Sequence, residues 1–327
     1  MKYFILCVLL IVYQFSFGQL MSKRHVPGQP YIKYVIRENP GRDSITFYLS
    51  EFSSASTLPL LVYVQGSGNS SLFSKGNGDG INPTSGHITW AYEAKDKARL
   101  LIIEKPGVNY LDQVEDNNEF DKKFSLENWT DRIEQVIRFV IKNENTDTAK
   151  IMIAGHSEGG LVAARVAKQM HKLISNVAVL AGEGPSQLYS LYSFAASGIF
   201  FNAAGFTNKE RIDSLTRTWK NILSDPSSTS KKFWGFTYLR WSSFLKTSVC
   251  EELNGYTGKI FILQGDADKN VLPESARILY ITLLSKGKNV TMQMIPGADH
   301  SFNINNHVEI SGWELIIRKS IEWFLKR

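Results

Sequence analysis

The chain has 327 residues, enough for one large α/β domain or two modest ones and more than a small single core needs. Apolar residues make up 43% and charged residues 21%, the composition of a globular protein rather than a disordered one. The formal charge of +6 is spread through mixed-sign stretches such as EAKDKAR, with no basic stripe interleaved with aromatics, which argues against nucleic acid as a partner.

The opening residues, MKYFILCVLLIVYQFSFGQ, place one lysine before a short apolar stretch and a small-x-small site at Ser16-Phe17-Gly18. This is the pattern of a signal peptide over residues 1–18, and it predicts an exported protein, periplasmic or secreted. An N-terminal membrane anchor is the alternative, although a spanning helix needs about 20 apolar residues. Removal of residues 1–18 leaves 36 basic against 31 acidic residues and Cys250 as the only cysteine, so no internal disulfide is expected.

SKRHVPGQP reads as a polar link, followed by strands at YIKYVIR and SITFYLS, the second alternating apolar and polar. PLLVYVQG, ARLLIIEKPG, KIMIAG, NVAVLAG, KIFILQG and VTMQMIPG are short apolar runs of the kind that form buried parallel strands. GNGDG (residues 76–80) reads as a mobile loop that could border a cleft. LENWTDRIEQVIRFVIKNE carries Ile133, Val136, Ile137 and Val140 at helical spacing. EGGLVAARVAKQM, SARILYITLLSKG and GWELIIRKSIEWFLKR also read as helices. Strands alternating with helices predict a mostly parallel sheet flanked by helices, with reactive groups at the carboxyl ends of its strands. Residues 185–253 break the alternation. They are rich in aromatics, among them Phe194, Trp219, Trp234, Phe236 and Trp241, and hold helix-like stretches including KKFWGFTYLRWSSFLK. They read as a helical cap inserted between strands 6 and 7 of a core built from 31–184 and 254–327. Most of its aromatics should form the cap's own core, and a few should face the cleft as an apolar pocket.

Ser157 stands in Gly155-His156-Ser157-Glu158-Gly159, between a buried strand and a helix of small residues. A strand that turns at once into a helix crowds its turn, which favours glycine two residues before and two after, and holds the serine oxygen up at the sheet edge. A serine hydroxyl needs a base, and the base an orienting acid. Of six histidines, His300 follows the strand VTMQMIPG, and His307, seven residues later, is its rival. His156 should point away beside the sheet. For the acid, Asp268 follows KIFILQG on a short loop that Asp266 would brace, and Glu183 after NVAVLAG is a third option. Gly66, Ser67 and Gly68 after PLLVYVQ offer a backbone N–H of Ser67 or Gly68 as one oxyanion donor, the N–H of Glu158 being the other. Gln65 is read as stabilising that loop. No metal-ligand spacing, dinucleotide fingerprint or phosphate loop is present, so no metal or cofactor is implied.

Together QGSG, GHSEG, GDAD-x-x-V-x-P and GADHSF, in the order Ser, Asp, His, resemble the α/β-hydrolase superfamily over most of residues 31–327. GHSEGG is similar to bacterial carboxylesterases and to the catalytic domains of prolyl-oligopeptidase-like peptidases. Gln65 stands where many members have histidine, and EKPGV replaces the more usual D-x-R-G-x-G-x-S. The resemblance implies acyl transfer to water through Ser157, His300 and Asp268 on a small-molecule ester or acyl substrate. A carboxylesterase is the leading expectation. The alternatives are a peptidase or amidase, for which Glu104, Asp112, Glu115 or Asp116 could bind an amino terminus, and a non-catalytic ligand-binding protein on the same scaffold.

Overall fold

The computed structural model describes residues 18–326 apart from 40, 42, 53–56, 114–116, 204 and 305–310. The signal-peptide reading of residues 1–18 therefore lies almost wholly outside the described residues, as do His307, Glu115 and Asp116.

The described residues open with strands β1 (Leu20–His25), β2 (Tyr31–Arg37), β3 (Ser44–Ser50) and β4 (Leu58–Val64). A small hairpin, β5 (Phe73–Lys75) and β6 (Ile81–Pro83), leads to helix α1 (His87–Ala94) and strand β7 (Arg99–Ile103). Helices α2 (Asn118–Lys123) and α3 (Leu126–Asn143) precede β8 (Thr146–His156), α4 (Gly159–Gln169) and β9 (Asn176–Leu180). Next come α5 (Leu188–Ser197), α6 (Asn208–Ser224), the hairpin β10 (Lys232–Phe233) and β11 (Phe236–Thr237), α7 (Tyr238–Leu245) and α8 (Val249–Asn254). Strand β12 (Lys259–Gly265), α9 (Pro273–Ser285), β13 (Val290–Ile295) and α10 (Gly312–Leu325) complete the chain.

Nine of these strands form one sheet in the order β1-β2-β3-β7-β4-β8-β9-β12-β13. The pairs from β7 to β13 are parallel, and those among β1, β2, β3 and β7 are antiparallel. Side chains alternate across the sheet as a two-residue repeat requires. Leu60, Val62 and Val64 pack with Trp129 and Ile133 of α3 and Val162 of α4, whereas Leu61 and Tyr63 pack on the opposite face with Trp90 of α1 and Ile317 of α10. This is an α/β-hydrolase fold, a mostly parallel sheet covered by helices on both faces.

Two local readings change. The polar link contains an edge strand, β1, hydrogen-bonded to β2. Its residues are mostly exposed, so no apolar alternation marks it, and the free edge of β2 is what organises it. KKFWGF is a hairpin rather than the start of a helix, because Trp234 (φ 43°) and Gly235 (φ 80°) turn the chain through left-handed geometry. Residues 76–80 close the β5–β6 hairpin, with the Gly76 N–H donating to the Gly80 carbonyl at 2.7 Å. Between β9 and β12, α5, α6 and α7 share a separate cluster of Leu191, Leu215, Ile222, Trp241 and Leu245. Among the described residues no helix is long and apolar enough to cross a membrane.

Because β4, β8, β9, β12 and β13 are neighbours, the residues after them meet along one sheet edge. Those residues are Gln65–Gly68, Ser157, Glu183, Asp268 and His300.

Candidate active site

Ser157 occupies the turn between β8 and α4 with φ 56°, a conformation that costs an L-residue roughly 1–2 kcal/mol. Its N–H donates to the Leu180 carbonyl of β9 at 2.8 Å, and its carbonyl accepts from Gly160 at 2.9 Å. The flanking glycines are required by space: a Cβ on Gly155 would overlap the Gly159 carbonyl, and one on Gly159 would overlap the carbonyls of Val64 and Gln65. The serine is thus held out from the sheet by contacts no larger residue allows.

His300 Nε2 lies 3.0 Å from Ser157 Oγ, and His300 Nδ1 lies 2.8 Å from Asp268 Oδ2. Asp268 is buried and richly supplied with donors. Its Oδ2 also accepts from Gln264 Nε2 at 2.9 Å, and its Oδ1 accepts from the N–H groups of Asn270 (2.8 Å) and Val271 (3.0 Å). Burial pushes this carboxyl up, but His300 and the two backbone donors outweigh burial and hold it below the usual range. The Asp268 carboxylate accepts the Nδ1 proton of His300 and so turns Nε2 toward the serine. Asp266 instead accepts from Gly297 N–H at 2.6 Å and so braces the loop between β12 and β13.

Ser67, Ser157 and His300 line two cavities. One, of about 530 Å³, lies beneath α5 and α7 and is walled by Phe194, Trp234, Phe236 and Trp241, with Glu158, Glu183 and Arg240 among its polar groups. The other, of about 480 Å³, is bounded by Tyr63, His156, Asn303 and Trp313. Among the described residues no three His, Cys, Asp or Glu side chains converge as metal ligands.

Residues 118–315, more than half of the chain, match the prolyl oligopeptidase family (peptidase S9). The chain belongs to that family. It is a serine hydrolase of the α/β-hydrolase type. No curated protein matches it. Among solved structures it is similar to Est1E from Butyrivibrio proteoclasticus, at 17% identity and TM-score 0.56 over 90% of this chain and 97% of that one. It is also similar to the Pyrococcus horikoshii acylaminoacyl peptidase, at 15% identity and TM-score 0.57, over 90% of this chain but 41% of that one. Esterases of the fungus Rhizomucor miehei align at 14% identity and TM-score 0.56 over 89% of this chain and 82% of theirs. At such identities these structures speak to the fold alone.

Within this family fold, the support of the site departs from the sequence reading at several places. The Gln65 amide nitrogen is buried with no hydrogen-bond partner. Lys105, from the unusual EKPGV, braces this loop: its Nζ donates to the carbonyls of Gly66 (2.5 Å) and Gly68 (2.7 Å), straddling Ser67. Burial and the Arg240 charge push this ammonium down to about 7, and the rings of Trp129 and Phe124 lie beside it. Glu104 is not in the cleft. Its buried carboxylate accepts from Tyr48 (2.8 Å), Ser71 (2.6 Å) and the Leu72 N–H. Asp112 bonds locally to Asn109. His156 does not point away. Its Nε2–H donates to the His300 carbonyl at 2.9 Å, and burial followed by the neighbouring His300 pushes it down to about 4, so it stays a neutral strut. Glu183 touches Ser275 rather than His300.

The sequence carried no signal for the last partner. Arg240 of α7 donates to Glu158, one residue past the serine, in an ion pair buried at both ends. The guanidinium is packed against the Phe236, Trp241 and Phe244 rings, 3.9–4.9 Å from their centroids. A charge inside an aromatic segment 82 residues away could be paired with the elbow only after the chain had folded.

Proposed function

We propose that this chain hydrolyses carboxylic esters through an acyl-enzyme formed on Ser157, with His300 as base and Asp268 as the orienting acid. The observation that carries the reading is the unbroken line of contacts, Asp268 Oδ2 to His300 Nδ1 at 2.8 Å and His300 Nε2 to Ser157 Oγ at 3.0 Å. Ser157 Oγ attacks the ester carbonyl as its proton passes to His300 Nε2. Glu158 N–H, at a helix start with no intrahelical acceptor, and the N–H of Ser67 or Gly68 receive the developing oxyanion. The tetrahedral intermediate collapses, and His300 gives its proton to the departing alkoxide. Water then enters by the same route and releases the carboxylic acid from Ser157.

The aromatic walls of the larger cavity favour an acyl group of small to medium size with substantial apolar surface. Amide cleavage by the same steps is the second reading, favoured by membership in a family of peptidases. Residues 185–253 act as the cap over the site, and the leader-like N-terminus makes this an exported enzyme. A fluorophosphonate probe tests the mechanism: labelling should occur and vanish in Ser157→Ala, whose turnover should fall about a million-fold. Equal labelling of the variant would refute it. Nitrophenyl esters against aminoacyl nitroanilides rank ester over amide, and cleavage of the amides alone would reverse that order. Fractionation of the native host places the protein, and retention in the cytosol would end the export reading.

A further inference from the structure

We propose that Glu183 is a recognition carboxylate that binds the ammonium of an amino-bearing acyl group, so that the preferred substrates are α-amino acyl esters. The inference rests on the serine-hydrolase reading above and names the substrate class of that same site.

Glu183 follows β9, whose Leu180 carbonyl anchors the Ser157 N–H, and it lines the same cavity as Ser157 and His300. Its surroundings are built rather than incidental. Ser275 Oγ accepts from the Gly184 N–H at 2.8 Å, which turns its own proton onto Glu183 Oε2 at 2.5 Å. The Ser190 hydroxyl, on a buried residue lining the same cavity, is the second hydroxyl beside this carboxyl and favours its charged form. A buried carboxyl that opens onto the substrate cavity with only two neutral hydroxyls beside it suits a ligand that donates hydrogen bonds.

Charge decides what kind of donor. Of the other charged groups lining the cavity, Arg240 and Glu158 neutralise one another. Glu183 is therefore the acidic group of this cavity without a cationic partner among the described residues, and Trp234, whose ring is exposed, and Phe194 line the same cavity. A carboxylate with aromatic walls suits an ammonium group, which gains from both. Burial pushes Glu183 up to about 7, raised further by Asp268 and offset in part by the Ser190 and Ser275 hydroxyls and by His300. An arriving ammonium restores its charge. A purely structural role in fastening α9 would need only an acceptor for Ser275, which a glutamine provides equally.

The test compares L-phenylalanine methyl ester with 3-phenylpropionic acid methyl ester, its counterpart without the amine, at pH 7. The wild-type kcat/KM ratio should favour the amino ester by about 10-fold or more, the worth of one charge-assisted hydrogen bond. Glu183→Gln should bring the ratio to about one. A wild-type ratio near one, or a ratio preserved in the variant, overturns the proposal while leaving the hydrolase reading intact. If neither ester is cleaved and no phosphonate labels Ser157, the hydrolase reading fails separately. The pocket is then judged by tryptophan fluorescence, in which 2-phenylethylamine should bind at least 10-fold more tightly than 2-phenylethanol, with the difference lost in Glu183→Gln. Equal binding, or none, overturns the proposal.

Discussion

Replacing Arg240 by methionine isolates the buried ion pair beside the nucleophile. Methionine keeps most of the packing against Phe236, Trp241 and Phe244 and removes the charge, so the cost falls on Glu158, left buried without a partner. Such a carboxylate takes up a proton. From an ordinary glutamate pKa of about 4.3, neutralising it costs about 3.7 kcal/mol at pH 7 and about 1.6 kcal/mol at pH 5.5. The larger figure agrees with the roughly 3–5 kcal/mol seen when one partner of a buried pair is removed. The sign follows from linkage: with its folded-state pKa raised, the orphan carboxyl costs nothing below its unfolded pKa and progressively more as pH rises above it. Urea unfolding followed by tryptophan fluorescence should therefore show Arg240→Met less stable than wild type by several kcal/mol at pH 7, with the deficit more than halved at pH 5.5. Glu158→Gln should also destabilise, and the double variant should lose at least about 2 kcal/mol less than the sum of the two. A deficit equal at both pH values, or below about 1 kcal/mol at pH 7, would refute the argument that an orphaned charge sets the cost.

Gly155→Ala should lower stability by more than about 3 kcal/mol, because the added methyl meets the Gly159 backbone carbonyl and no side chain can move aside. A thermal melt like that of the wild type would contradict it. Lys105→Met should leave the fold largely intact, since the two lost hydrogen bonds are offset by no longer burying an ammonium. Its kcat should fall about 10- to 100-fold as the Gly66–Gly68 loop loses its clamp, with KM little changed. A kcat within twofold of wild type would remove Lys105 from the site's support. Asp268→Ala should reduce kcat on the order of ten-thousand-fold, and full activity would send the search for the acid back to Glu183 or Asp266.

The parallel strands and the serine turn were legible because each is written locally. Continuous apolar runs such as KIMIA and KIFIL can only be buried strands or buried helix segments, and their shortness together with the following glycine settles which. The elbow glycines were legible for a comparable reason: their spacing is a steric demand of one turn, and Gly155 and Gly159 meet that demand against atoms at most a few residues or one strand away. The edge strand β1 was not legible, since an exposed strand held by its neighbour's backbone leaves no alternation in its own residues. Nor was the role of Lys105. EKPGV reads only as a departure from a familiar pattern until β7 is placed beside β4, where the ammonium reaches two carbonyls of another loop.

The sequence by itself determined the fold class and nominated the side chains able to form a nucleophilic relay, since these depend on periodicity, turn chemistry and the order of motifs. Only the tertiary structure decided which groups surround that relay. The Arg240–Glu158 pair, the His156 strut under the His300 carbonyl and the open carboxylate of Glu183 join residues from 82 to 144 positions apart, or face a cavity that several such segments enclose. Contacts of that kind are set by where packed strands and helices end in space, and no local pattern along the chain encodes them.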